Sequence, residues 1–303
     1  VKVLYVTIKD KTKQGDYLDV ISLRALRTVL GDNCIDYPKK KILYNDWSEI
    51  NRPSLHGMGF SLYEPPLPDV SNRDFNDVDL VIYGYVNKAN YVNDVYPEVE
   101  SLNKPVIYID GHDDSDVVVT PCFKHELHEP HPNVFPMNLA LPLAKIRKIN
   151  LSSKTQLIQK TAPPFSRFGP QILGIPGRRL YIFDNEEDYY NDMSKSWFGL
   201  SCRKGSWDAL RNYEIIASGA LLLFRDYDKK PNLASPIGVP AVSYSSPAEL
   251  KGIIDRLLPN GQPTQEYIKT LEAQRNWLLQ NATDQKLGEY LVSTIKKEIL
   301  KND

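Results

Sequence analysis

The chain has 303 residues, 42% of them hydrophobic and 25% charged, with a formal net charge of −1. That length holds two domains with separate cores, and a balance so near neutrality excludes a function driven by bulk charge toward nucleic acid or anionic membrane. Three scattered cysteines, Cys34, Cys122 and Cys202, exclude a disulfide framework and a zinc knuckle and suit a reducing compartment.

Residues 1–8, VKVLYVTI, are apolar enough for a strand buried on both faces. No basic, apolar and cleavage arrangement stands ahead of it, and no apolar run approaches the roughly 20 residues of a bilayer span. The expectation is a soluble, cytoplasmic protein. Gly15 and Asp16 open a helix whose Leu18, Ile21, Leu26 and Val29 lie near one side and which ends at Gly31. A second strand is predicted at 34–37. Residues 38–77 read as mostly irregular, with HGMGF at 56–60 as a turn. Regular patterns return with a strand at 78–83, a helix at 92–102 and a strand at 105–109. The last of these stops at Asp110-Gly111-His112-Asp113-Asp114-Ser115-Asp116, where the carboxyl end of a parallel strand favours a ligand.

Residues 123–150 are rich in proline and histidine, and the domain boundary is placed near 150, giving domains 1–150 and 151–303. In the second, strands are predicted at 156–160, 179–183, 197–202, 220–224 and 239–244. Helices are predicted at 188–195, 206–218, 248–258, 264–280 and 284–300. Leu287, Leu291, Ile295 and Ile299 give the last one a narrow apolar stripe. Two α/β units of about equal size with a helical tail follow from this order.

The richest segment is SKSWFGLSCRKGSWDALRNYEIIASGALLLFRD, residues 194–226. An apolar strand runs into Arg203-Lys204-Gly205, a helix capped by Ser206 follows, Gly219 ends it, and a second apolar strand comes next. Free N–H groups of the first helical turn, the helix dipole and two cations would converge on one spot that suits a phosphate or diphosphate. Glu214, farther along, would accept hydrogen bonds from a sugar or ribose hydroxyl. A nucleotide or nucleotide-sugar offers both groups. The plainer alternative is a solvated turn with Arg211 and Glu214 paired across one helical turn. Neither GxxxxGK[ST] nor GxGxxG occurs.

This segment resembles the donor-binding half of nucleotide-sugar glycosyltransferases with two Rossmann-like domains (GT-B), nearest to exostosin-like and spore-maturation-type members. The matching residues are Ser196-Trp197-Phe198-Gly199-Leu200, Arg211, Glu214, Ala217, Gly219 and the strand at 220–224. The family's usual proline after the small-residue turn is replaced by Leu221-Leu222, and its paired-glutamate motif is reduced to Glu214. The resemblance implies an α/β fold of two Rossmann-like domains facing a central cleft, the first on the acceptor side and the second holding the donor, with a terminal helix crossing back onto the first. It also implies that Arg203, Lys204, Gly205, Ser206 and Arg211 meet the donor diphosphate and Glu214 the donor's hydroxyls. No cofactor is implied beyond the nucleotide-sugar co-substrate, because helix and basic residues usually replace the metal in this class.

His112 and Asp113 are the preferred candidates for the base that takes a proton from an acceptor hydroxyl, with Asp16 as the other option. Each also reads as a turn or helix-capping residue. His112, His125, His128 and His131 with Asp113, Asp114 and Asp116 offer enough ligands for a metal, and so a metal-dependent hydrolase is the alternative enzyme. Steps of three broken by Pro130 and Pro132 fit a cleft-lining loop at Lys124, His125 and Glu126 better. A non-catalytic nucleotide-binding protein is the third reading. Basic runs at 39–41, 145–148, 178–179 and 229–230 read as solvated surface, and the acceptor stays open between a glycan, another hydroxyl-bearing molecule and DNA.

Overall fold

Strands that are apolar on both faces must be covered on both, and here they pair in parallel beneath helices. The computed structural model describes residues 1–7, 17–44, 55–86, 96–160 and 182–300. The first sheet comprises β1 (Val3–Val6), β2 (Cys34–Tyr37), β3 (Leu80–Val86), β4 (Val106–Asp110), β5 (Cys122–Lys124) and β6 (Val134–Pro136). All are parallel, in the order β2-β1-β3-β4-β5-β6. Its helices are α1 (Tyr17–Leu30) and the single turn α2 (Pro97–Glu100). The order reverses between β1 and β3, which opens a crevice at their carboxyl ends. The β3–β4 register shifts between Tyr83 and Val86, an irregularity of the kind that re-aims side chains next to sites.

The second sheet comprises β7 (Gln156–Ile158), β8 (Ser196–Cys202), β9 (Leu221–Arg225) and β10 (Val242–Tyr244), again all parallel, in the order β10-β9-β8-β7. Its helices are α3 (Glu186–Ser194), α4 (Leu210–Ala217), α5 (Pro247–Leu257) and α6 (Gln265–Asn281), and α7 (Asp284–Thr294) follows. Phe198, Leu200, Leu221 and Leu223 bury one face against Leu250, Ile254 and Leu271 of α5 and α6. The largest apolar cluster joins the two units: Tyr5, Leu23 and Leu26 of the first share it with Tyr213, Ile216 and Leu222 of the second. The architecture is thus GT-B-like, two Rossmann-like units facing each other.

The terminal stripe does cross back. Leu287, Leu291 and Ile295 are buried in the shared cluster, and α7 lies against α1. A Cβ at Gly288 would stand 2.2 Å from the carbonyl oxygen of Ala25, so only glycine lets the helices come this close. Gly288→Ala is expected to destabilise the fold by about 1–3 kcal/mol through overpacking, read by urea unfolding. Past Thr294 the helix widens into a π-turn, Ile295–Ile299, rather than continuing regularly to 300.

Three further expectations need correction. The helix read over 206–218 begins only at Leu210, because Trp207 and Asp208 bond to the first unit and Ala209 is extended at φ −153. Its N-cap is Ala209, with no side-chain cap, and Ser206 Oγ instead donates to the carbonyl of Asp208 at 2.8 Å. The proline- and histidine-rich stretch supplies β5 and β6, three-residue strands too short to show alternation. The helix read over 92–102 is one turn within the described residues, and 92–95 lie outside them, as do 179–181 of the strand read over 179–183. At the other end of α4 the expectation holds: Gly219, at φ +79, donates to Ile216 while Ala220 donates to Ile215, a Schellman close.

Candidate active site

A cavity of about 320 Å³ lies between the units. The first unit contributes Tyr17, Gly57, Phe60, Tyr85, Gly111, Asp113 and His125; the second contributes Tyr189, Lys204, Gly205, Ser206, Asp208, Arg211 and Glu214. Tyr85 arrives there from the irregular end of β3. Tyr17 is seated over Gly57, where a Cβ would fall 1.8 Å from its hydroxyl oxygen; Gly57 is itself left-handed at φ +66. The segment read as a turn at 56–60 is therefore part of the cavity wall.

The cationic turn leaves β8 at its carboxyl end and divides. Lys204, Gly205 and Ser206 face the cavity. Arg203 instead lies over the Trp207 ring at 5.2 Å, with Nη2 4.0 Å from Glu126 Oε1. It borders a second, more open hollow of about 800 Å³ with Lys204, Trp207, Arg225, Asp226 and Lys229. Lys204 belongs to both, and burial with Arg211 nearby lowers its pKa. Arg211 reaches the cavity from the first turn of α4. Burial works against its charge, but Tyr189 and Glu214 more than offset that and hold its pKa above the ordinary value. Its Nε has no hydrogen-bond partner among the described residues.

Glu214 is not the open acceptor that its spacing suggests. It is 6% exposed, and it accepts a hydrogen bond from Ser61 of the first unit and another from Tyr189 at 2.5 Å. Tyr190 donates in turn to Ser61 Oγ at 3.0 Å. Burial raises the Glu214 pKa, and the two hydroxyls and Arg211 pull it back part of the way. No Arg211–Glu214 ion pair forms within 4.0 Å among the described side chains, so the plain pairing across one helical turn is not what holds either residue.

Of the three predicted base candidates, Asp113 lines the cavity. Its Oδ2 would be 3.0 Å from a Cβ at Gly205, which brings the acidic loop and the cationic turn face to face. His112 is diverted: its Nδ1 pairs with Asp114 Oδ1 at 2.6 Å, its N–H donates to Asp110, and its carbonyl accepts from Lys124. It is not among the residues that line the cavity. Asp16 lies outside the described residues. The histidine that does line the wall is His125, with Nε2 3.8 Å from Asp113 Oδ1. Burial and Lys124 push its pKa down to about 3, so it is an uncharged imidazole at neutral pH.

The metal expectation finds no cluster. His112 pairs with Asp114, His128 with Glu126 at 2.9 Å, and His131 turns to the Pro132 carbonyl. No group of three or more His, Cys, Asp or Glu is placed to hold a metal among the described residues. That removes the arrangement on which the hydrolase alternative rested. Asp208 was missed altogether, because SWD read as the start of a helix. It is buried at the cavity wall, and burial pushes its pKa up to about 7, against hydrogen bonding from Ser235, Tyr213 and Leu139. No helix of the described residues is long and apolar enough to cross a membrane.

No protein-family model and no curated protein sequence matches the chain. Among solved structures, it is similar to a glycosyltransferase from Rickettsia africae ESF-5 at 12% identity, covering 99% of each chain, with a TM-score of 0.57. It is also similar to an α-glucosyltransferase in complex with UDP and a 13-mer DNA containing an HMU base, at 12% identity over 97% and 98% of the two chains, TM-score 0.52. Anabaena HepE in complex with UDP and glucose aligns at 9% identity over 97% and 99%, TM-score 0.51. Likeness at such identity establishes the shared two-unit fold.

Proposed function

We propose that the chain is a glycosyltransferase that moves a sugar from a nucleotide-sugar donor to an acceptor hydroxyl. One observation carries the proposal: Lys204, Gly205, Arg211 and the first turn of α4 converge on a cavity whose opposite wall belongs to the other unit. The first N–H groups of a helix have no partner inside it, so α4 offers amides and the positive end of its dipole beside two cations. Such a preorganised site stabilises the charge that develops on a departing diphosphate, commonly the largest single catalytic term. The UDP complexes of HepE and of the DNA-bound α-glucosyltransferase, which share the fold, support the donor class.

In this scheme residues 151–303 hold the donor and residues 1–150 present the acceptor. Glu214 would bind donor hydroxyls in exchange for those of Ser61 or Tyr189. Asp113, beside the neutral His125, takes the base role, and His112 acts only through the loop that it braces. Arg203 completes the charge around the diphosphate from the adjoining hollow. Side-chain cations stand in for a metal ion, and no cofactor beyond the nucleotide-sugar is invoked. The finer likeness to exostosin-like and spore-maturation-type enzymes rests on Arg211, Glu214, Gly219 and β9. The acceptor is a glycan hydroxyl or, as in the DNA-bound relative in fold, one carried on DNA.

Calorimetry with UDP, GDP, dTDP, ADP and CMP tests the proposal. At least one is expected to bind, and Lys204→Ala to weaken it about tenfold, the loss of one charge-assisted contact of roughly 1.4 kcal/mol. No binding by any of the five removes the donor site.

A further inference from the structure

The cationic turn is held by the opposite unit through two carboxylates that cross. Glu126, just past β5, accepts the N–H of Trp207 at 2.9 Å on Oε2. One residue along, the direction reverses: Asp208 Oδ2 accepts the N–H of Leu139, just past β6, at 3.3 Å. Glu126 is 0% exposed and Asp208 6%. Each unit therefore supplies a buried acceptor for a backbone donor of the other, through two of the three residues between the turn and α4. The seam continues alongside. Glu126 bridges to Ala234, the Ser235 N–H donates to the His125 carbonyl at 2.8 Å, and Asn138 Oδ1 accepts from Ser235 Oγ and Ile237 N at 2.8 and 2.7 Å.

Within the turn, Lys204 N–H donates to the Ser206 carbonyl at 3.2 Å, and a glycine sits in the middle. A turn with glycine at its centre would lose its placement if the flanking amides were released, since an amide left buried without an acceptor is strongly disfavoured and would draw in water. The same amides fix where α4 starts, because they keep Trp207, Asp208 and Ala209 out of the helix.

We propose that Glu126 and Asp208 are a reciprocal pair of positioning residues. They set the Lys204–Ser206 turn and the first turn of α4 against the cavity, so that the anion site is complete only while the two units are joined. The functional half of this statement rests on the donor site proposed above. The groups facing Asp208 are Glu126, which raises its pKa further, the hydroxyls of Tyr213 and Ser235, Tyr227, and the amine of Lys230, which also faces Glu126. Either protonation state of Asp208 keeps an oxygen for Leu139, so the clamp works on both sides of neutrality.

Hydrogen exchange on the whole chain, with UDP calorimetry alongside, tests the pair. In the unaltered protein the amides of Trp207 and Leu139 are expected to exchange as slowly as those of β8. Glu126→Ala and Asp208→Ala should each speed exchange across 203–209 at least tenfold, leave β1 and α7 protected, and weaken UDP at least tenfold. Glu126→Gln and Asp208→Asn keep an acceptor oxygen and should hold UDP affinity within threefold. Fast exchange at Trp207 and Leu139 in the unaltered protein overturns the proposal even if the alanine variants fail to fold, as does unchanged exchange at 203–209 in folded alanine variants. Failure of the unaltered protein to bind UDP or the other nucleotides counts against the donor site alone, and the exchange data still decide the clamp.

Discussion

Arg211→Ala is expected to lower nucleoside diphosphate affinity by roughly 30- to 1000-fold, or about 2–4 kcal/mol, the cost of removing one partner of a desolvated charge pair. Three features make the effect large. The guanidinium is half-buried in the cavity wall, so water screens it only in part. Tyr189 and Glu214 hold it charged despite burial. Its Nε is without a hydrogen-bond partner among the described residues, a buried donor that a phosphate oxygen would satisfy. The fold should survive the change, because Glu214 keeps the hydroxyls of Ser61 and Tyr189 and can take up a proton where the cation is lost. Arg211→Lys keeps the charge but not the planar fork, so it should restore only part of the affinity. Calorimetry on folded variants reads the result. Affinity for Arg211→Ala within threefold of the unaltered chain would place the diphosphate elsewhere, with the second hollow, lined by Arg203, Arg225 and Lys229, as the place to look.

The parallel strands and their helices were legible because buried strands such as 34–37 and amphipathic helices such as 284–294 write their period into a single stretch of chain. That Lys204, Gly205, Ser206 and Arg211 lie together was legible too, as a strand, a glycine turn and a helix in order. What the sequence does not carry is pairing across the cleft. Nothing near Ser206 shows that Trp207 and Asp208 are drawn away by Glu126 and Leu139, so the helix was started four residues early. Glu214 looks like a free carboxylate until Ser61, 153 positions away, is placed against it. His112 and Asp113 are adjacent in the chain, yet Asp114 claims the first and the cavity the second. Short strands fail for a different reason: Cys122–Lys124 has three residues, and its buried Lys124 reads as part of a cleft-lining loop until Asp110 stands 3.2 Å from it.

Asp208→Asn is expected to stabilise the protein at pH 8 and to leave it nearly unchanged near pH 4. In the unfolded chain the carboxyl titrates at its ordinary value; in the fold, burial moves it up to about 7. A raised carboxyl favours the folded state most below the unfolded value, and that advantage is lost as pH climbs through the folded one. Asparagine keeps an oxygen for the Leu139 N–H and does not titrate. The gap between variant and parent should therefore open from pH 4 to pH 7 and level off above, at most on the order of 4 kcal/mol for a shift of about three units. Urea unfolding at pH 4, 6 and 8 measures it, and a gap that stays flat means that no buried titration occurs there. The same carboxyl ties stability to ligand. A diphosphate seated at Lys204 would add negative charge to a neighbourhood that already contains Glu126, and would hold Asp208 protonated to higher pH. Binding at pH 7.5 should then take up part of a proton, visible as a heat that depends on the buffer's ionisation enthalpy. In Asp208→Asn that uptake should fall away while the affinity stays, which separates the group that titrates from the cations that bind.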